Sequence, residues 1–247
     1  MSVLVVTGAS AGIGAATALL AAERGWDVAI SYKGNAAGAE KVAAGIRAAG
    51  RRAFSMRADA ANEAETVAFF ARVDAELGSL DGLVNNAGIT GPAQRIDDVT
   101  GAMLTELFAI NITGTFLATR EAIKRMAKDR GGKGGAIVNV SSRAAEIGGG
   151  GTWVHYAASK GAVDSATIGA ARELAPRGIR VNAVAPGPID TEIHAKAGVG
   201  DRLAQLAAVV PMGRAGTVNE VARAILFLLS EESSYITGAV LPIGGGR

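Results

Sequence analysis

The sequence predicts an α/β fold, in which a doubly wound, mostly parallel sheet of seven strands carries helices on both faces. Short Val/Ile/Leu runs alternate along the 247 residues with longer Ala-rich segments of helical period. The apolar runs lack polar alternation, which is typical of strands that are covered on both faces. Aromatic residues make up only 4% of the chain, which suits close packing of helices on a sheet through Ala, Val and Gly. Such alternation, joined by right-handed crossovers, gives a doubly wound sheet.

The apolar runs and the segments of helical period predict the strands and helices in chain order. The apolar runs predict strands at Val3–Val6, Asp27–Ser31, Arg52–Met56, Gly82–Asn85, Ala136–Val140, Arg180–Ala183 and Ala239–Pro242. The helical periodicity between them predicts helices at Ile13–Arg24, Ala36–Ala49, Glu63–Leu77, Gly101–Lys128, Val154–Ala175 and Val218–Ser230. A less regular segment at about 188–213 separates the sixth strand from the last helix, where a substrate lid is expected.

Composition narrows the function classes. The absence of cysteine excludes disulfides, thiolate metal sites and a cysteine nucleophile. The net charge is +2 and the longest basic run is Arg51-Arg52, whereas nucleic-acid binding would favour clustered Lys and Arg. The start of the chain lacks a positive region before its apolar stretch, and the late apolar run Ala224–Leu229 falls far short of the ~20 residues that span a bilayer. We expect one soluble, cytoplasmic domain over residues 1–247, with no nucleic-acid or membrane partner.

A glycine-rich turn joins the first strand to the first helix. Gly8 permits a tight turn, Gly12 lets the backbone approach a diphosphate, and Gly14 lets helix and strand pack closely. The N-terminus of the following helix offers free N–H groups and a positive dipole end to phosphates. The context favours nucleotide binding; a purely structural turn is the alternative.

Tyr156 and Lys160 stand four residues apart on a predicted helix, so their side chains share one face. A nearby ammonium is expected to lower the pKa of the phenol, which could then exchange a proton with a carbonyl or alcohol oxygen. A Tyr-x-x-x-Lys pair also occurs on ordinary helices, so it indicates acid–base chemistry only in combination with the glycine turn.

The glycine spacing Gly-x-x-x-Gly-x-Gly, followed by Asn85-Asn86-Ala87-Gly88, Tyr156-Ala157-Ala158-Ser159-Lys160 and Pro186-Gly187, resembles the short-chain dehydrogenase/reductase family. The resemblance runs from Val3 to Gly245. Within this family, the sequence is similar to the classical reductases that include 3-oxoacyl-carrier-protein reductases and glucose 1-dehydrogenases. The resemblance implies a Rossmann sheet, a nicotinamide cofactor, a small-molecule carbonyl or alcohol substrate and a homotetramer. Gly244 stands where relatives commonly carry Asp, which bears on a tetramer contact.

The same resemblance implies two further catalytic residues. The family's serine precedes the tyrosine by about 13 residues, and Ser142 lies closer to that spacing than Ser141. We choose Ser142, whose hydroxyl would stabilise charge on the substrate oxygen; Ser141 is the alternative. Asn111 would hold a water that links Lys160 to solvent, and the other interpretation is an Asn that bends its helix.

The residues after the second strand indicate the cofactor. An acid about 20 residues beyond the glycine turn would bind a free ribose and repel a 2′-phosphate, but the strand ends Ser31-Tyr32-Lys33. Ser31 and Lys33 could instead hold that phosphate, although Ala11 stands where many NADP-preferring relatives carry Arg. NADP(H) is predicted and NAD(H) stays possible, because Lys33 could also be a solvated lysine.

Other positions would line the cofactor by resemblance. They are Ser10, Ile13, Asp59, Asn85, Ala87, Gly88, Pro186, Gly187, Ile189 and Thr191, together with Tyr156 and Lys160. Asp59 could equally be an acid near a helix N-cap, and Asn85 could only tie loops together. With two histidines and no close carboxylate cluster, no metal site is predicted. His155 points away from the Tyr156 face and is interpreted as a surface or interface residue.

The combined prediction is an oxidoreductase that transfers a hydride between NADP(H) and a carbonyl or secondary alcohol. A nicotinamide-nucleotide-binding regulatory protein without turnover is the alternative from another class, and a Rossmann-like methyltransferase is a second enzyme alternative. Only the first needs the Tyr156/Lys160 pair.

Overall fold

A computed structural model describes residues 2–190 and 210–247 and contains one seven-stranded sheet. The strands are β1 (Val3–Val6), β2 (Asp27–Tyr32), β3 (Ala53–Arg57), β4 (Gly82–Asn85), β5 (Gly135–Val140), β6 (Ile179–Pro186) and β7 (Val240–Ile243). Their order is β3-β2-β1-β4-β5-β6-β7, and every neighbouring pair is parallel. The predicted doubly wound sheet is confirmed.

Two layers of helices cover the sheet. They are α1 (Gly12–Glu23), α2 (Ala36–Ala48), α3 (Glu63–Glu76), α4 (Gly101–Phe108), α5 (Gly114–Met126), α6 (Ala144–Ile147), α7 (Val154–Leu174) and α8 (Val218–Leu229). Side chains that alternate along β1 divide between the faces: Leu4 and Val6 pack with α1, α2 and α8, while Val3 and Val5 pack with α3, α5 and α7. Both faces of β1 are therefore buried, which is why this strand is apolar at every position.

The strand order reverses beside β1, since β2 follows it on one side and β4 lies on the other. In open α/β sheets, ligands bind at the carboxyl ends of the strands where the order reverses. The topology thus places a candidate site beyond the ends of β1 and β4.

The largest difference from the predicted elements lies in the helix expected at Gly101–Lys128. A π-helical turn, Ala109–Thr113, separates α4 from α5 and contains the buried Asn111. Strand β6 is longer than predicted and continues to Pro186, while the short helix α6 was not predicted. Thr191 and most of the expected lid at 188–213 lie outside the described residues.

The helical run Gly101–Met126, which includes the π turn, has the length and apolar composition of a membrane span. Its α5 part contacts α3 and the sheet, while α4 and the π turn contact α7. Core helices of soluble proteins pass the same length and composition test, so this one helix is weak evidence for a span.

Candidate active site

An open cleft of about 1280 Å³ runs along the carboxyl ends of the strands. This volume exceeds the roughly 300–1,000 Å³ of pockets for single small molecules, so the cleft has room for a dinucleotide and a second ligand. The following residues predicted for the site line it: Gly8, Ser10, Gly12, Ile13, Lys33, Asp59, Ala87, Gly88, Ser142, Tyr156, Lys160, Pro186, Gly187 and Ile189.

The glycine turn is fixed against the end of β4. Gly8 has a φ of 64°, and a Cβ there would lie 2.7 Å from the Cα of Ala87, so only glycine fits. The Asn86 Nδ2 donates hydrogen bonds to the carbonyl oxygens of Thr7 (2.9 Å) and Gly8 (3.0 Å). These contacts hold the turn in place before any ligand binds.

The N-terminus of α1 is open, which fits a diphosphate. Its N-cap residue, Ala11, supplies no side-chain hydrogen bond, and its first turn contains no acid. By contrast, side chains cap α2, α3, α4 and α8, through Asn35, Asn62, Thr100 and Thr217. At Gly12 a Cβ would meet no heavy atom within 4 Å, so the backbone is exposed to the cleft. Free N–H groups at a positive helix end suit a cofactor diphosphate.

Lys33 and Asp59 form an ion pair at the far end of the cleft, with 2.8 Å between Nζ and Oδ2. Burial raises the pKa of the Asp59 carboxyl, but the hydrogen bonds from Lys33 and the Ala61 N–H and the nearby positive charges together outweigh it, so the pKa is lowered overall. The Lys33 side chain is 56% exposed, so its ammonium can accept a second anionic partner. The sequence predicted separate cofactor contacts for Lys33 and Asp59, whereas in the structure the two side chains also bind each other.

Ser142, Tyr156 and Lys160 all line the cleft. Ser142 shares a hydrogen bond with the Tyr156 hydroxyl, and its Oγ accepts another from the Ala144 N–H at 3.1 Å. The Lys160 Nζ lies 5.8 Å from the centroid of the Tyr156 ring and donates to the Val140 carbonyl oxygen at 2.7 Å. Ser141 is buried and its Oγ points to the Lys160 carbonyl oxygen. The geometry favours Ser142 over Ser141 as the serine beside the tyrosine.

The pKa shifts in this group differ from the expected direction for the tyrosine. Burial raises the pKa of the Tyr156 hydroxyl, and the hydrogen bond with Ser142 only partly counters it. Lys160 was expected to lower the pKa of the Tyr156 hydroxyl. This expectation is wrong for the chain alone, because the Lys160 ammonium lies over the Tyr156 ring and donates to the Val140 carbonyl oxygen. Burial also lowers the pKa of Lys160 to about 8, against the attraction of Asp164.

Asn111 lies in the π-helical turn beside Lys160. Its Oδ1 accepts from the Ile89 N–H at 2.9 Å, and its Nδ2 donates to the Ile89 carbonyl oxygen and to the Ser159 Oγ. A Cβ at Gly88 would lie 3.3 Å from the Asn111 Oδ1 and 3.5 Å from the Lys160 Nζ. The side chain thus fixes the strand-end segment next to Lys160, and its water relay stays a prediction.

Three residues predicted to bind cofactor are not among those that line the cleft. A Cβ at Gly14 would lie 2.4 Å from the Asn86 Nδ2, so this glycine serves close packing. The Ser31 hydroxyl is buried and accepts a hydrogen bond from the Gly8 N–H. Asn85 is buried and donates to Asn139 and Thr119. In each case the side chain, or the space for one, faces the protein interior rather than the cleft.

The cleft also contains residues that were not predicted to bind ligand. Arg143, Trp153 and Arg247 line it, and Arg247 gave no signal in the sequence. His155 is 5% exposed and packs against Gly91, so its interpretation as a surface residue is wrong within the chain. Burial lowers the pKa of the His155 imidazole, which keeps a neutral ring under the loop at Thr90–Pro92.

A parallel doubly wound sheet whose first helix opens, uncapped, into the cleft at the strand-order reversal defines a Rossmann-type nucleotide-binding protein. Comparison with known proteins identifies the family within this class. A family model described as enoyl-(acyl carrier protein) reductase matches residues 8–247. The chain belongs to the short-chain dehydrogenase/reductase family and is an NAD(P)-dependent oxidoreductase.

Relatives match over nearly the full chain. The uncharacterized oxidoreductase YgfF of Escherichia coli (strain K12) is 46% identical, with all of both chains covered. The structure of a short-chain dehydrogenase from Burkholderia cenocepacia J2315 in complex with NADP has a TM-score of 0.90 and 36% identity, covering 99% of this chain and 97% of that one. An NAD⁺-bound xylitol dehydrogenase has a TM-score of 0.90 and 35% identity, covering 99% and 98%. Similar structures thus hold either nicotinamide cofactor.

Proposed function

We propose that this protein reduces a carbonyl group, or oxidises a secondary alcohol, with NADP(H) and with Tyr156 as the general acid/base. The observation that carries this proposal is the position of Ser142, Tyr156 and Lys160 in one cleft with the open N-terminus of α1. The cofactor supplies or accepts the hydride. The glycine turn and α1 would hold its diphosphate, and Pro186, Gly187 and Ile189 would lie along its nicotinamide end.

The protein's own residues handle the proton. In the reductive direction, the Tyr156 hydroxyl donates its proton to the carbonyl oxygen, and the Ser142 hydroxyl donates a hydrogen bond to the same oxygen. The Lys160 Nζ lies 5.8 Å from the centroid of the Tyr156 ring, and once released from the Val140 carbonyl oxygen its ammonium would stabilise the tyrosinate that remains. The raised pKa of Tyr156 in the chain alone keeps the hydroxyl protonated, which is the form that a carbonyl reduction needs.

Absorbance at 340 nm tests the activity, with NADPH and NADH offered alongside a panel of ketones and aldehydes. We expect NADPH oxidation with at least part of the panel, and NADP⁺ reduction with the matching alcohols. Tight NADPH binding without turnover on any carbonyl or alcohol would instead support the nucleotide-binding regulatory protein.

The preference for NADP(H) is supported by Lys33. The end of β2 carries no acid that could bind the free ribose, and the exposed Lys33 ammonium lies on the cleft wall. A charge-assisted hydrogen bond to the 2′-phosphate would add to the attraction of the open helix end. Asp59 competes for the same ammonium, so the phosphate has to share or replace that ion pair.

Lys33→Asp is expected to raise the KM for NADPH by about tenfold or more, while the KM for NADH changes much less, since only NADPH carries the 2′-phosphate. Initial rates with both cofactors at a saturating carbonyl substrate give the two values. Lys41→Asp on the exposed face of α2 makes the same charge change outside the cleft, and it should alter neither. Equal effects of Lys33→Asp on the two cofactors would reject the assignment.

The homotetramer and the cytoplasmic location stay predictions. Apolar side chains on α5 and α7 support a contact between subunits, because Phe116 is 56% exposed and Ile168 is 40% exposed. Light scattering coupled to size-exclusion chromatography would give the mass, and a monomer would reject the tetramer.

A further inference from the structure

Two arginines line the cleft at its catalytic end, and the chemistry proposed above uses neither. Arg143 directly follows Ser142, and Arg247 lies beside it after the turn that ends β7. The Nε of Arg143 donates to the Arg247 carbonyl oxygen at 2.8 Å, which joins the two segments across 104 residues of sequence. Both arginines thus belong to the wall that holds the reacting serine and tyrosine.

The Arg143 side chain is held in one position. Its backbone N–H donates to the Pro186 carbonyl oxygen at 2.9 Å, its Nη1 lies 2.6 Å from the Glu146 Oε2, and the side chain is only 17% exposed. A guanidinium has five N–H donors. The contacts seen in the described part of the chain engage Nε and Nη1, so donors remain for another acceptor.

Gly244 makes room for this arrangement. A Cβ at Gly244 would lie 3.3 Å from the Cγ of Arg143, 3.6 Å from its Cδ and 2.7 Å from the Arg247 carbonyl oxygen. Any side chain at this position would crowd the Cγ and Cδ of Arg143 and the Arg247 oxygen to which Arg143 donates. Glycine at this position therefore lets the arginine lie flat along the cleft wall.

The charge of the wall is uneven. Its described cationic residues are Lys33, Arg143, Lys160 and Arg247, and the one acid among the described lining residues is Asp59. Asp59 is paired with Lys33 at the adenosine end. Glu146 neutralises part of Arg143, but it is 61% exposed and is not one of the lining residues. At the catalytic end the described lining residues supply the cations Arg143, Lys160 and Arg247 and no carboxylate side chain, while the Glu146 carboxylate pairs with Arg143 from outside the lining.

We propose that the substrate carries a carboxylate, which Arg143 binds with the support of Arg247 while Ser142 and Tyr156 engage the carbonyl or hydroxyl group. The inference rests on the proposed reductase function and names its substrate class, an oxo acid or the corresponding hydroxy acid. Arg favours carboxylates because its planar fork matches their geometry.

Pairs of substrates that differ only in charge test this assignment. Acetoacetate is compared with methyl acetoacetate, and 4-oxopentanoate with its methyl ester, by kcat/KM with NADPH. We expect the acid to be preferred by about 10-fold or more in at least one pair, as a charge-assisted hydrogen bond would give. Arg143→Gln should remove most of that preference, and Arg143→Lys should restore part of it.

A matched control separates a local effect from a general change in charge. Arg177→Gln removes an arginine of similar exposure, 21%, which pairs with Asp129 at the far end of α7. It should leave the acid-to-ester ratio unchanged. Gly244→Asp should lower the ratio, because its side chain would displace Arg143 and add a negative charge beside it. Thermal unfolding of each variant checks that it is folded.

A binding measurement makes the proposal independent of turnover. In the Tyr156→Phe variant loaded with NADPH, nicotinamide fluorescence reports the Kd of each acid and each ester, with and without Arg143→Gln. Equal values for acid and ester in both pairs, or a preference that survives Arg143→Gln, would overturn the carboxylate assignment. Reduction of esters and neutral ketones without a preference for acids would overturn it and leave the reductase function standing. Failure of every carbonyl and alcohol to react would reject the reductase function itself.

Discussion

Tyr156→Phe is expected to lower kcat by about a thousandfold or more, within the range that general acid–base catalysis contributes. The substitution keeps the partly buried ring, so the packing of the cleft wall is retained. It removes only the hydroxyl that shares a hydrogen bond with Ser142. Ser142 can still polarise a carbonyl oxygen, but no group at that place can then deliver the proton.

The measurement combines turnover at 340 nm with NADPH binding by fluorescence. We expect the Kd for NADPH to change by less than about threefold, because one hydrogen bond is lost at most. Tyr235→Phe removes the same atom from a fully exposed ring and should leave both quantities unchanged. Substantial residual turnover in Tyr156→Phe would show that another group acts as the acid and base.

The sheet could be predicted from the sequence because each strand carries its own signal. The residues of β1 and β4 are buried at all four positions, so the apolar runs reflect burial on both faces. The π-helical turn at Ala109–Thr113 has no such signal. It is held by contacts of Asn111 with Ile89 and Ser159, which depend on how distant segments meet.

The proximity of Tyr156 and Lys160 could be predicted because a spacing of four residues places two side chains on one helix face. The direction of the Tyr156 pKa shift could not, because it depends on burial by the whole fold. Ser31 was assigned to the cofactor by its place at the end of the second strand and Asn85 by its place in a motif, whereas their side chains point to the Gly8 N–H and to Asn139. Arg247 was missed because its partner, Arg143, lies 104 residues away in sequence.

Gly12→Ala is expected to weaken NADPH binding by about tenfold or more while costing the chain only about 1–2 kcal/mol of stability. The stability loss comes from the φ of 59° at this residue, a left-handed conformation that is unfavourable with a Cβ. The methyl group would meet no heavy atom of the protein within 4 Å. It would stand instead in the part of the cleft where the diphosphate approaches the helix N-terminus.

Gly25→Ala is the matched control, since Gly25 follows the other end of α1 with a φ of 89°, is exposed and has no heavy atom within 4 Å of its Cβ position. Both variants should lose a similar free energy of unfolding in urea, because each places a Cβ on a left-handed backbone. Only Gly12→Ala should raise the Kd for NADPH, since only its methyl group enters the cleft. If both variants bind NADPH as tightly as the wild type, the diphosphate does not approach the backbone at Gly12. If Gly25→Ala weakens binding equally, strain in α1 rather than contact with the cofactor accounts for the loss.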